Sequence, residues 1–179
     1  MYSDPLAFFI SFTTYGSWLH GKGAGSVDLD HNEYDTPVLP SDTRQEEEAR
    51  ATLTEPPYVL DQPRRAVVLK TIMEVCDHRG WRLLACHVRS THVHMVVQAD
   101  ARPEKVMNDC KAYASRRLNE AGFEERDRKR WTRHGSTRYI WDDRYLQIAI
   151  HYTLHRQGTP MERYAEDKLL LDDSSEPRA

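Results

Sequence analysis

No apolar run in these 179 residues approaches the roughly 20 residues of a membrane-spanning helix, so the sequence predicts no membrane contact. The opening Met1-Tyr2-Ser3-Asp4-Pro5 has neither the basic start nor the small-residue cleavage site of a secretory signal, and nothing in it marks the chain for export. Cysteine is scarce: Cys76, Cys86 and Cys110 are odd in number and lack CxxC spacing, which argues against a disulfide framework and a zinc knuckle. Buried thiols in a reducing cytoplasm are the expectation. Internal repeats and low-complexity tracts are absent. So is a net positive charge: the formal value of -3 argues, taken alone, against a nucleic-acid partner.

Charge distribution reverses that argument locally. Between Arg102 and Arg138 stand eleven Lys/Arg against six acids, an excess of five basic residues that leaves the rest of the chain acidic. Length and a 39% hydrophobic content suit one compact domain over residues 1–160, interrupted by an irregular insert at about 20–63 and followed by a partly disordered tail over 161–179. The insert is rich in Gly, Asp and Pro, with one short helix expected near residues 44 to 52.

Hydrophobic pattern divides the remainder. LAFFISFTT, residues 6–14, is aromatic and β-branched and predicts a first strand. Residues 64–79 place Val67, Ile72, Val75 and Cys76 at near-helical spacing ahead of Gly80, a natural stop. Two β-prone runs, 81–88 and 92–98, outline a hairpin. A helix follows from Pro103 to before Gly122, then an Arg-rich connection, a short strand near 137–141, and a last helix capped by Asp142 or Asp143 and running to Gly158. This order predicts an α+β domain with a mostly antiparallel sheet.

Strand alternation sends His92 and His94 of THVHMVV to one face while Val93, Met95 and Val97 take the other. Imidazoles converging from a rigid strand offer two positions to a Mg²⁺ or Mn²⁺ ion; the plain alternative is two histidines on a solvated sheet. The last helix carries Tyr145, His151, Tyr152, His155 and Gln157, so a phenol and several donors can lie across from the pair. A phenol that loses its proton beside a cation is a nucleophile toward phosphorus.

These segments resemble a known family. THVHMVV is similar to the HUH signature of the single-tyrosine transposases of the smallest bacterial insertion sequences and of the REP-associated tyrosine transposases. FFISFTTYGSWLHG resembles that family's first strand, NDCKAYASRRLNE its basic helix and IAIHYTLHRQG its nucleophile helix. The resemblance implies a ferredoxin-like HUH endonuclease fold, a homodimer, Mg²⁺ or Mn²⁺ as cofactor, and single-stranded or hairpin DNA as partner. It implies cleavage and rejoining through a 5′-phosphotyrosine, with Tyr152 as nucleophile and His92 and His94 as the metal pair. One departure stands out: the family's amide ligand falls four residues after the tyrosine, where this chain has Arg156, and Gln157 comes at five. Five residues rotate by about 140° on an ideal helix and four by about 40°, so Gln157 needs an irregular helix end, which Gly158 favours. His155 is the rival third ligand. Tyr113 and Tyr145 are rival nucleophiles. Lys111, Arg116, Arg117, Arg133 and His134 are the candidate phosphate contacts, against a plain solvated surface, and Trp131 and Tyr139 are candidates to stack on unpaired bases. Two further readings remain open: a nucleic-acid-binding domain of this fold without chemistry, and a metal-dependent phosphodiesterase that activates water and forms no adduct.

Overall fold

The computed structural model describes residues 4–17, 51–124 and 126–166. The tail beyond residue 166, most of the insert and nearly all of the helix expected at 44 to 52 lie outside the described residues.

Within them the chain runs β1 (Ala7–Thr13), α1 (Gln62–Arg79), β2 (Arg82–Val88), β3 (His92–Gln98), α2 (Pro103–Glu120), β4 (Ser136–Ile140), α3 (Asp143–His155) and β5 (Glu162–Ala165). Each helix starts and stops for a local reason. At α1, Asp61 accepts a hydrogen bond from the Arg64 N–H at 3.1 Å and Gly80 ends the helix at φ 70°, a left-handed turn that a side chain disfavours. At α3, Asp142, one of the two aspartates that the sequence offers as a cap, accepts from the Tyr145 N–H at 2.9 Å.

The five strands form one antiparallel sheet in the order β4-β1-β3-β2-β5. Its first four strands with α1 and α2 make the βαββαβ ferredoxin-like arrangement that the resemblance implies. Alternation divides the sheet into two faces. Phe8, Ile10 and Phe12 of β1 and Val93, Met95 and Val97 of β3 pack with Val68, Ile72 and Cys76 of α1 and Val106, Cys110 and Leu118 of α2. Each such side chain contributes about 1.5–3 kcal/mol on leaving water. On the opposite face a smaller cluster of Ala7, Leu84, Ala85, Val96 and Ile140 receives Ile150 and Leu154 of α3.

All three cysteines are buried free thiols. Two features depart from the sequence expectation. Residues 162–165, placed in the tail, instead extend the sheet along β2, pairing His87 with Arg163 and Val88 with Glu162. The last residues of the insert join the core: Tyr58 and Leu60 are buried, their N–H groups donating to the carbonyls of Tyr15 and Ser90. Among the described residues no helix is long and apolar enough to cross a membrane.

Candidate active site

The face beneath α3 carries the expected histidines. Register places Ser11 of β1, His94 of β3 and His87 of β2 side by side across the sheet, with Thr13 beside His92. The rings of His92 and His94 lie 4.9 Å apart, centroid to centroid. Tyr152 comes down from α3 with its ring edge-on to His94 at 5.7 Å and to Phe9 at 6.0 Å, while Phe9 stacks on His94 at 5.6 Å. Tyr152 remains 38% exposed, so its phenol is held by its apolar edge and stays open to a substrate.

Gln157 reaches the pair. Helix α3 ends at His155, Arg156 leaves helical geometry at φ -107° and ψ 20°, and Gly158 turns left-handed at φ 75°. That irregular end supplies the rotation an ideal helix lacks, bringing Gln157 Oε1 to 3.4 Å from His92 Nε2. Its Nε2 donates back to the Tyr152 carbonyl at 3.3 Å. His155 instead faces His151 at 5.1 Å on the exposed side of the helix. Among the described residues no third His, Cys, Asp or Glu completes a metal cluster around the pair, which leaves the Gln157 amide as the neighbouring donor.

Both histidines favour the neutral form that a metal ligand requires. Burial lowers the pKa of His92 and takes that of His94 down to about 3, and neighbouring His92, His87 and Arg89 push the latter the same way. Ser11 Oγ lies 2.6 Å from His94 Nδ1. When Nδ1–H donates to that hydroxyl, the Nε2 lone pair is free. Two oxygen or nitrogen donors on one octahedral ion with bonds near 2.0–2.1 Å stand about 3 Å apart, close to the 3.4 Å between His92 Nε2 and Gln157 Oε1. The residues present therefore fit a small divalent cation. Ser11, Phe9, His87 and Arg89 were missed in the sequence; the only signals were a serine at an inward position of FFISFTT and a histidine inside the apolar run LLACHV.

Other candidates fall elsewhere. Tyr113 lies on α2, across the sheet from the histidines, beneath the Arg116 guanidinium at 4.9 Å. Tyr145 lies in the first turn of α3, exposed. Lys111 is buried, its ammonium donating to the carbonyls of Thr132 and His134 at 3.0 Å each, a placement at odds with phosphate contact. Arg117 is exposed and paired with Glu120 at 3.0 Å and Glu74 at 3.4 Å. Arg133 and His134 are exposed beside β4. Trp131 is half-buried, donating to the Lys111 carbonyl and packing on Phe12, which turns it inward rather than toward bases. Tyr139 is exposed and stacks with Trp141, which the sequence did not single out.

The family model described as "Transposase IS200 like" matches residues 57–155. A solved REP-associated tyrosine transposase bound to a REP hairpin is similar in fold, with TM-score 0.50 and 11% identity over 87% of this chain and 68% of that one. A second solved structure, from Deinococcus radiodurans R1 and provisionally named a transposase, aligns with TM-score 0.43 and 12% identity over 82% of this chain and 88% of the other. No curated protein sequence matches the chain.

Proposed function

Since this chain belongs to the IS200-like transposase family, we propose that it cuts and rejoins single-stranded or hairpin DNA through Tyr152. The observation that carries this reading is the meeting of three elements at one point: His92 and His94 from β3, Tyr152 from α3 and Gln157 from the turn beyond it.

The phenolic oxygen of Tyr152 attacks phosphorus and forms a P–O bond. The P–O3′ bond breaks, the departing oxygen takes up a proton to become a 3′-OH, and the phenol proton passes to solvent. The product is a 5′-phosphotyrosine that keeps the phosphodiester bond energy, so attack by a 3′-OH reverses the step and rejoins the strand. His92, His94 and Gln157 would hold Mg²⁺ or Mn²⁺ beside the scissile phosphate. Such an ion, when bound, supplies positive charge for the phosphate oxygens and lowers the cost of ionising a nearby phenol. The stacked Phe9 and His94 both meet the phenol's ring edge-on, which restricts its orientation before substrate arrives. The homodimer that the resemblance implies belongs to the same reading and is tested by sedimentation of the full chain.

The decisive experiment incubates the protein with a panel of hairpin oligonucleotides and Mn²⁺ and scores protein–DNA adducts on denaturing gels. Adducts are expected with the native sequence and none with Tyr152→Phe, whose DNA affinity stays within about two-fold. Adducts that persist in Tyr152→Phe remove that residue from the role. Cleaved DNA with no adduct returns the water-activating phosphodiesterase. Binding without any Mn²⁺ response returns the non-catalytic domain.

A further inference from the structure

The short turn that carries Gln157 is held in place by one buried side chain. His87 on β2 is fully buried and uses both ring nitrogens. Its Nδ1 lies 3.0 Å from the Thr153 carbonyl, and its Nε2 accepts the Met161 N–H at 3.1 Å. An imidazole that accepts at Nε2 and meets a carbonyl at Nδ1 is the neutral Nδ1–H tautomer. Burial, which lowers the His87 pKa, favours the same form.

Those two partners bracket the turn. Thr153 is the residue after Tyr152, and its carbonyl lies in the last turn of α3, where backbone acceptors lack partners inside the helix. Met161 opens the approach to β5. One ring therefore anchors both ends of the segment 154–160, in which Gln157 must leave the helix axis to face His92. Arg163 at the Leu154 carbonyl, 3.0 Å, and Arg89 at the Thr159 carbonyl, 2.8 Å, tie down the same segment from the surface. His87 is also the β2 neighbour of His94. A single rung of the sheet thus sets the position of an imidazole of the site and of the helix end that delivers the phenol and the amide.

We propose that His87 is a positioning residue of this site: by clamping Thr153 and Met161 it sets where Tyr152 and Gln157 stand relative to His92 and His94. The proposal rests on the preceding reading for its catalytic consequence, and on the clamp alone for its structural one.

Four full-length proteins test it: the native chain and His87→Leu, His87→Asn and His87→Gln. Leucine fills the volume and makes neither bond. The asparagine amide keeps a donor near the Nδ1 position for Thr153, and the glutamine carbonyl keeps an acceptor near the Nε2 position for Met161. Amide exchange is read without DNA or metal. His87→Leu is expected to speed exchange of the Met161 N–H and of the last turn of α3 at least ten-fold, with α1 and α2 unchanged. Its Mn²⁺ affinity should fall about ten-fold, as for other groups that orient metal ligands. His87→Gln should restore protection at Met161, and His87→Asn in the helix turn. A folded His87→Leu with native exchange and native Mn²⁺ affinity overturns the proposal. Where His87→Leu does not fold, the amide variants decide: native protection at both ends in both of them overturns it. A native protein that forms no adduct with any oligonucleotide overturns the reading of Tyr152 and leaves the exchange result standing. Equal adduct yield in native and His87→Leu proteins overturns the role of His87 alone.

Discussion

On one face of the sheet, Phe8, Ile10, Phe12, Val93, Met95 and Val97 meet the apolar stripes of α1 and α2 and pack by shape. On the other, the intervening residues of the same two strands, Phe9, Ser11, His92 and His94, meet one helix and are fixed by hydrogen bonds and ring contacts. Strand alternation lets seven residues of β1 and seven of β3 serve both purposes at once. The main apolar packing and the candidate site thus occupy opposite faces of the sheet. Substitutions that point one way should therefore unfold the protein, and those that point the other should disable it.

The largest effect belongs to the face under α1 and α2. Phe12, 1% exposed between Trp131 and the helices, should cost about 3–5 kcal/mol of stability on replacement by Ala. Denaturant unfolding measures it, and Mn²⁺ affinity of the folded fraction should stay native. A loss of metal affinity in folded Phe12→Ala breaks the segregation.

Lys111 sharpens the same face. Burial takes its pKa down to about 8 from the ordinary 10.5, while the unfolded chain keeps the higher value. The folded state then binds fewer protons between those limits, so stability rises with pH from about 8 to 10.5, by about 3 kcal/mol at most. A neutral amine still has two N–H groups for Thr132 and His134, so the bonds survive deprotonation. Comparison of native and Lys111→Met unfolding across that range isolates the contribution, since the tyrosines are common to both. The rise should vanish in Lys111→Met, and DNA affinity should change less than two-fold. A ten-fold loss of DNA affinity would return Lys111 to phosphate contact.

Ser11 tests the other face. Ser11→Ala removes the 2.6 Å partner of His94 Nδ1 without opening a core cavity, so the unfolding midpoint should hardly move. Mn²⁺ affinity should fall about ten-fold, equivalent to about 1.4 kcal/mol. An unchanged affinity would mean that Phe9 stacking alone orients the imidazole.

Elements with local signals were legible in the sequence. The strand at 92–98 matches the structure residue for residue, because alternation and a following Asp-Ala-Arg-Pro stop define it. The stop at Gly80 was equally readable, and the cap of α3 was narrowed to Asp142 or Asp143, of which Asp142 serves. What escaped depends on partners distant in sequence. Lys111 reads as a surface cation until the carbonyls 21 and 23 residues later close over it. His87 reads as one polar residue in an apolar run until Thr153 and Met161 meet its ring. Residues 162–165 are too short and mixed to announce a strand, and pair only because β2 presents a free edge. Gln157 was legible as a neighbour of the histidines only on condition of an irregular helix end, and the non-helical residue at 156 supplies it.

The smallest predicted effect lies at the rim where the two faces meet. Tyr139 on the outer strand and Trp141 in the link between β4 and α3 are 47% and 56% exposed, with their rings nearly parallel at 13° and 6.0 Å apart. Phe8 braces Tyr139 edge-on at 5.1 Å, so the pair is held rigid from the core side while its flat faces meet water. A rigid aromatic surface suits unpaired bases, each stacked base contributing about 1–3 kcal/mol. Trp141 stands two residues ahead of α3, and Tyr152 lies about 13 Å along that helix from its first residue, Asp143. Trp141→Ala should therefore weaken binding of an oligothymidine about five-fold, the lower end of that range, read by fluorescence anisotropy of a labelled strand. Stability and Mn²⁺ affinity should both stay native, because Trp141 belongs to neither buried cluster. Native oligothymidine binding in Trp141→Ala would place the DNA path elsewhere and leave the exposed pair to a protein partner.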